Sequence, residues 1–136
     1  MSDYVAHSRG TDTVFNAFKS IANDEENLPK GNRTYYPIEQ VGFFGGAANA
    51  QKSANVLKYL TKGKGTMLQS TNPYDGVGRI IGGNPSTCDS CKYPGLLEAH
   101  INYTGHPSPG MEKIWGAEGY SRLKVVLPTN RRNGEQ

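Results

Sequence analysis

Asn84-Pro85-Ser86-Thr87-Cys88-Asp89-Ser90-Cys91 holds the only two cysteines of a 136-residue chain, spaced Cys-x-x-Cys. Two thiolates at that spacing can grip one metal ion from a single turn of backbone. What precedes and follows this turn decides the fold.

Upstream, Gly45-Gly46 opens a helix expected over Ala47–Leu60, with Ala47, Ala50, Ala54 and Leu57 on one face. Such small residues suit close packing against a flat surface such as a sheet, and Lys62-Gly63-Lys64-Gly65 ends the helix because glycine takes the left-handed exit cheaply. Thr34–Phe44, rich in Tyr, Ile, Val and Phe, predicts one or two short strands broken or edged at Pro37. Thr66–Ser70 and Val77–Ile81 each predict a short strand. Further out, Thr11 or Asp12 can cap a helix in which Val14, Phe15, Phe18, Ile21 and Ala22 recur at three- and four-residue intervals, stopping by Asn23-Asp24. Downstream, Leu96, Leu97 and Ile101 suggest a short helix, and Arg122–Leu127 predicts a strand ended by Pro128. Helices therefore alternate with strands, and the expected fold is α/β, a mixed sheet flanked by helices. Residues 1–10 read as a flexible N-terminus, 11–128 as a single domain and 129–136 as a polar tail.

Composition narrows the function classes. Apolar residues make up 35% of the chain, and 17 glycines and 8 prolines predict abundant loops. No apolar run approaches the roughly 18 residues of a membrane span. The N-terminus lacks the charged start and apolar stretch of a secretory leader, so the expected location is cytoplasmic, or a target cell reached without a classical signal. Fifteen basic against 12 acidic residues leave a net charge of +3, unevenly spread. Lys52, Lys58, Lys62 and Lys64 lie in a stretch free of acids, and Arg122, Lys124, Arg131 and Arg132 crowd the C-terminal end. Such stretches suit a polyanion partner or a solvated surface.

The cysteine pair has three physical readings: a zinc grip, a redox pair, or two ordinary thiols. A redox pair wants a helix N-terminus directly after a strand, whereas Gly82-Gly83-Asn84-Pro85 precedes this motif. Zinc is the leading reading, and it needs further ligands. His100 and His106 complete a Cys-x2-Cys-x8-His-x5-His pattern, which would close a structural site.

The order helix, strand, Cys-x-x-Cys turn, short helix, apolar strand resembles the cytidine-deaminase superfamily, in its bacterial-toxin branch, over roughly residues 34–128. The resemblance implies a cytidine-deaminase-like fold, with zinc held by Cys88 and Cys91 and a zinc-bound hydroxide attacking a cytosine base. It also implies a metal-binding residue and a glutamate at the start of the preceding helix. That segment here is Gly45-Gly46-Ala47-Ala48-Asn49-Ala50, so Ala48 and Asn49 mark the place of a missing acid, as in a catalytically disabled toxin form. Lys62, Lys64, Arg79 and Arg122 would steer single-stranded nucleic acid, and an immunity protein would be a fitting protein partner. The alternative is a non-enzymatic binding or assembly protein built around a Cys88, Cys91, His100, His106 zinc knot, which adds folding free energy to a small core.

Two further patterns have bland readings. The glycines of Gly76–Gly83 could cradle phosphate but lack the Gly-Lys-Ser/Thr ending, leaving a loop or hairpin. Ser/His/Asp catalysis finds no Gly-x-Ser-x-Gly elbow, and Ser53 and Ser70 fall inside expected elements.

Overall fold

Ile38 and Val41 through Phe44 are buried, and they form the core of an inner strand of the sheet. A near-continuous apolar run of this kind is what a parallel strand covered on both faces requires. The computed structural model describes residues 2–29, 35–88, 99–100 and 123–129. Its elements are β1 (Ser2–His7), α1 (Gly10–Glu26), β2 (Ile38–Phe44), α2 (Ala50–Thr61), β3 (Thr66–Ser70), a π-helical turn (Val77–Ile81) and β4 (Lys124–Val126). The sheet is mixed, in the order β1-β2-β3-β4, with β4 antiparallel to β3 and the other pairs parallel.

The register matters for function. His7 pairs with Phe44, and Phe44 pairs with Ser70, so the three parallel strands end on one line. The loops that leave this line are the ones that face each other. Open α/β sheets bind ligands in this position, beyond the carboxyl ends of their strands.

Packing follows the periodicities of the sequence. On α1, Phe18 and Ala22 are buried and Val14, Phe15 and Ile21 partly so; on α2, Ala50, Ala54, Leu57 and Leu60 are buried. These side chains join Ala6, Val41, Phe43 and Met67 in one core. Tyr4 meets Phe18 edge to face, with centroids 5.5 Å apart, which seats α1 on β1. Tyr36 closes the other end: its amide donates to Leu60 O at 2.9 Å and its hydroxyl to Glu25 Oε1 at 3.4 Å. Burial, then the Glu25 and Asp24 carboxylates, push that hydroxyl above its ordinary pKa, so it stays a donor.

Several expectations are corrected. Residues 2–7 of the N-terminus expected to be flexible are β1, because β2 offers a full ladder and Tyr4 and Ala6 face the helices. Val77–Ile81 is a π-helical turn, not a strand. The Asp75 carboxylate accepts from the Val77 and Gly78 amides at 2.9 and 3.2 Å, and Arg79 N donates to Asp75 O, which coils the chain. The second helix begins at Ala50, since Asn49 caps it by accepting from Lys52 N at 2.9 Å. Its left-handed exit falls on Lys62 as well as Gly63. Within the strand expected over 122–127, Lys124–Val126 is formed, while Arg122 lies outside the described residues. The short helix expected around Leu96 lies outside the described residues, apart from helical Ala99 and His100.

Asn84 locks the loops at the carboxyl edge. Buried to 2% exposure, it donates to Gly46 O and Ala48 O at 3.2 and 3.1 Å and accepts from Ala50 N at 2.7 Å. Two residues earlier the chains approach so closely that a methyl group on Gly82 would collide with the Gly46 carbonyl. Asn84→Ala should lower unfolding free energy by about 2–4 kcal/mol in a denaturant titration, because three buried backbone groups lose their partner.

Candidate active site

β1 runs into α1 with only Ser8 and Arg9 between them. Ser8 makes this reversal possible by adopting φ 57°, one of two non-glycine residues with positive φ among those described. Such a conformation costs about 1–3 kcal/mol and persists only where the surroundings over-determine it. Here they do. Ser8 N donates to Phe44 O at 3.1 Å, extending the ladder by one bond. Ser8 O accepts three bonds, from Thr11 N (3.2 Å), Thr11 Oγ1 (2.7 Å) and Ala47 N (3.1 Å). Thr11 is fully buried, and its hydroxyl also accepts from Ala48 N at 2.9 Å. One threonine thus ties the Ser8 turn to the loop between β2 and α2.

The turn lifts the Ser8 side chain toward His100. Ser8 Oγ lies 2.8 Å from His100 Nε2, and His100 Nδ1 lies 3.0 Å from Asp75 Oδ1. A carboxylate accepts only, so Nδ1 carries the proton and Nε2 is left as acceptor for the Ser8 hydroxyl. Asp75 is completely buried, and the Val77 and Gly78 amides fix its carboxylate. Gly78 has to be glycine: an added Cβ would lie 2.7 Å from Thr71 and 3.3 Å from both Asp75 Oδ2 and Gly45 Cα. The His100 side chain keeps 21% exposure, enough to meet a substrate. Arg9 stands at the α1 N-terminus with no side-chain cap bond, and the Thr11 and Asp12 amides of the first turn donate to Ser8 O and Arg9 O at 3.2 and 3.0 Å.

These three side chains come from the loops beyond β1 and β3 and from residue 100, in the chain order Ser, Asp, His. A serine on a tight strand-to-helix turn, bonded to a histidine that is bonded in turn to a buried carboxylate, has the geometry of an activated nucleophile. Sequence reasoning missed Ser8 and Asp75. The signal was Ala6-His7-Ser8-Arg9-Gly10, in which alanine occupies the place of the first glycine of a Gly-x-Ser-x-Gly pattern. Alanine fits because a Cβ placed on Gly10 would lie 3.9 Å from the Ala6 Cβ, an ordinary contact.

Of the described residues expected to carry zinc or nucleic acid, His100 takes part in this chain of hydrogen bonds. His100 was expected as a metal ligand, but both its ring nitrogens are engaged by Ser8 and Asp75. Cys88 is disulfide-bonded, so its sulfur is not a thiolate in this structure. Cys91, His106 and Arg122 lie outside the described residues. No group of three or more His, Cys, Asp and Glu that could hold a metal occurs among the described residues. Ala48 is buried, and Asn49, besides capping α2, donates to Gly82 O at 3.0 Å, so the α2 start faces the segment leading to Cys88. Arg79 donates to Asn84 O at 3.3 Å. Lys62 Nζ sits 4.3 Å from the Tyr35 ring centroid. Lys62 and Lys64 border a cavity of about 490 Å³ with Tyr35, Ile38 and Glu39. That cavity is at the start of β2, whereas Ser8 is bonded to Phe44 at its end, roughly 20 Å away along the strand.

No helix among the described residues is long and apolar enough to cross a membrane. No family model matches the chain, and neither does any curated protein or solved structure.

Proposed function

We propose that the protein is a serine hydrolase or acyltransferase in which Ser8 is the nucleophile, His100 the general base and Asp75 the residue that orients His100. The observation that carries this reading is the unbroken chain Ser8 Oγ to His100 Nε2 and His100 Nδ1 to Asp75 Oδ1, at 2.8 and 3.0 Å, ending on a serine held in a strained turn.

The chemistry follows from the atoms. Ser8 Oγ attacks the carbonyl carbon of an ester, thioester or amide as its proton passes to Nε2. The carbonyl oxygen becomes an oxyanion, and this reading assigns its stabilisation to the Arg9 amide, directly after the nucleophile. The imidazolium then returns the proton to the leaving group, and an acyl group remains on Ser8. A water or other acceptor, deprotonated by Nε2, attacks the acyl carbon and restores the serine. Asp75 keeps its proton-free form throughout, holding the Nδ1–H and balancing the transient imidazolium.

The deaminase-like and zinc-knot readings receive no comparable support. The α2 start presents a helix cap where a deaminase needs a glutamate, and His100 serves Ser8.

A fluorophosphonate probe followed by peptide mass mapping tests the assignment. Wild-type protein should be labelled at Ser8 and the Ser8→Ala variant should not be. Asp75→Asn should label more slowly, by roughly ten-thousand-fold at the extreme, because the wrong tautomer is then favoured. Labelling confined to another serine, or unaffected by Ser8→Ala, contradicts the proposal. Incubation with a zinc chelator should leave the labelling rate unchanged, since no step draws on a metal; a chelator-sensitive rate counts against it.

A further inference from the structure

We infer that His7 is a positioning residue for His100, an assignment that rests on the Ser8 reading above and deepens it. His7 Nε2 donates to the backbone oxygen of His100 at 2.7 Å, and the two imidazole rings stack with centroids 5.0 Å apart and planes 29° from parallel. Two different atoms of His7 therefore grip two different parts of one residue.

The placement follows from strand geometry. Side chains alternate faces along a strand. Ala6 points into the helix-covered core, so His7, the last residue of β1, projects from the opposite face, where His100 stands. Ser8 comes next, its Cα about 3.8 Å further on. Consecutive residues of one strand end thus hold His100 by its main chain and by Nε2, while Asp75 holds Nδ1. The His7 grip and the Ser8 contact cannot drift apart, because one peptide unit joins them.

This contact meets a need of the proposed chemistry. The imidazole has to collect a proton from Ser8 and deliver it to a leaving group without rotating, since a ring flip would exchange Nδ1 and Nε2. Asp75 alone fixes one edge of the ring. The His7 ring lies against its face and blocks rotation, and the bond to the His100 carbonyl keeps the backbone from sliding. A backbone carbonyl only accepts, so the proton of this contact sits on His7 Nε2.

Three variants separate the two contacts. His7→Ala removes both, His7→Phe keeps a ring without the donor, and His7→Gln keeps a donor near the position of Nε2 without the ring. Two readouts apply: the rate of Ser8 labelling by the fluorophosphonate, and the far-downfield proton resonance of a histidine Nδ1–H bonded to a carboxylate. His7→Ala should label about 3–10-fold more slowly, the effect of one lost hydrogen bond, and its downfield resonance should broaden or vanish. His7→Phe and His7→Gln should each recover part of the rate. Should His7→Ala fail to fold, the other two variants carry the same comparison with wild type. Variants that fold, label at the wild-type rate and retain an unchanged downfield signal overturn the assignment. A wild-type chain that is not labelled at Ser8 instead removes the Ser8 reading, and the role of His7 with it.

Discussion

The carbonyl oxygen of Ser8 receives three hydrogen bonds, and the catalytic reading of this molecule depends on them. They hold a non-glycine residue at φ 57°, in a region that disfavours side chains with a Cβ. Each bond contributes on the order of 1 kcal/mol net, which together offsets a conformational cost of about 1–3 kcal/mol. Two of the three donors belong to Thr11, in the first turn of α1, and the third to Ala47, after β2. The turn is consequently fixed to both neighbouring elements, and Ser8 is presented in one direction only.

A division of labour follows from the register of the sheet. The parallel strands end level at His7, Phe44 and Ser70, and the proposed catalytic residues Ser8 and Asp75 follow their ends. Ser8 follows β1 directly. The loop after β2 supplies the amides that stabilise the Ser8 and Thr11 oxygens, and the loop after β3 supplies Asp75. Asn84 stitches this second loop region to the start of α2. The core of Phe18, Val41, Phe43, Leu57 and Met67 lies behind this edge and keeps it rigid. Rigid elements that aim short loops at one point are the general means by which catalytic geometry is held.

Much of the scaffold was legible in the sequence, and the site was not. β3 matches its expected bounds because Thr66–Ser70 is flanked by glycine and a turn, and the two helices follow their apolar spacing. β1 was hidden by Ser2, Asp3 and His7, which leave only Tyr4 and Ala6 as a weak inward pattern; its pairing with β2 is a tertiary effect. Val77–Ile81 carries strand-forming side chains, but Ile80 is 82% exposed, and the Asp75 carboxylate caps the amides that a ladder would need. His100, expected beside Cys88, Cys91 and His106, is bonded in the structure to Ser8 and Asp75. Its partners are 92 and 25 residues away along the chain, a distance across which spacing rules carry no information. The Ser8 turn is hard to read from sequence because Ala6 stands where a Gly-x-Ser-x-Gly pattern has its first glycine.

Comparing the stability of Ser8→Gly with that of Ser8→Ala tests the strained turn most directly. Alanine removes the hydroxyl and leaves the backbone in its disfavoured region, whereas glycine removes the hydroxyl and the strain together. In matched denaturant titrations, Ser8→Gly should be the more stable by about 1 kcal/mol, even though both lack the nucleophile. A glycine variant equal to or less stable than the alanine variant would mean that Ser8 is not held under strain, and the turn would lose its standing as the seat of an activated nucleophile.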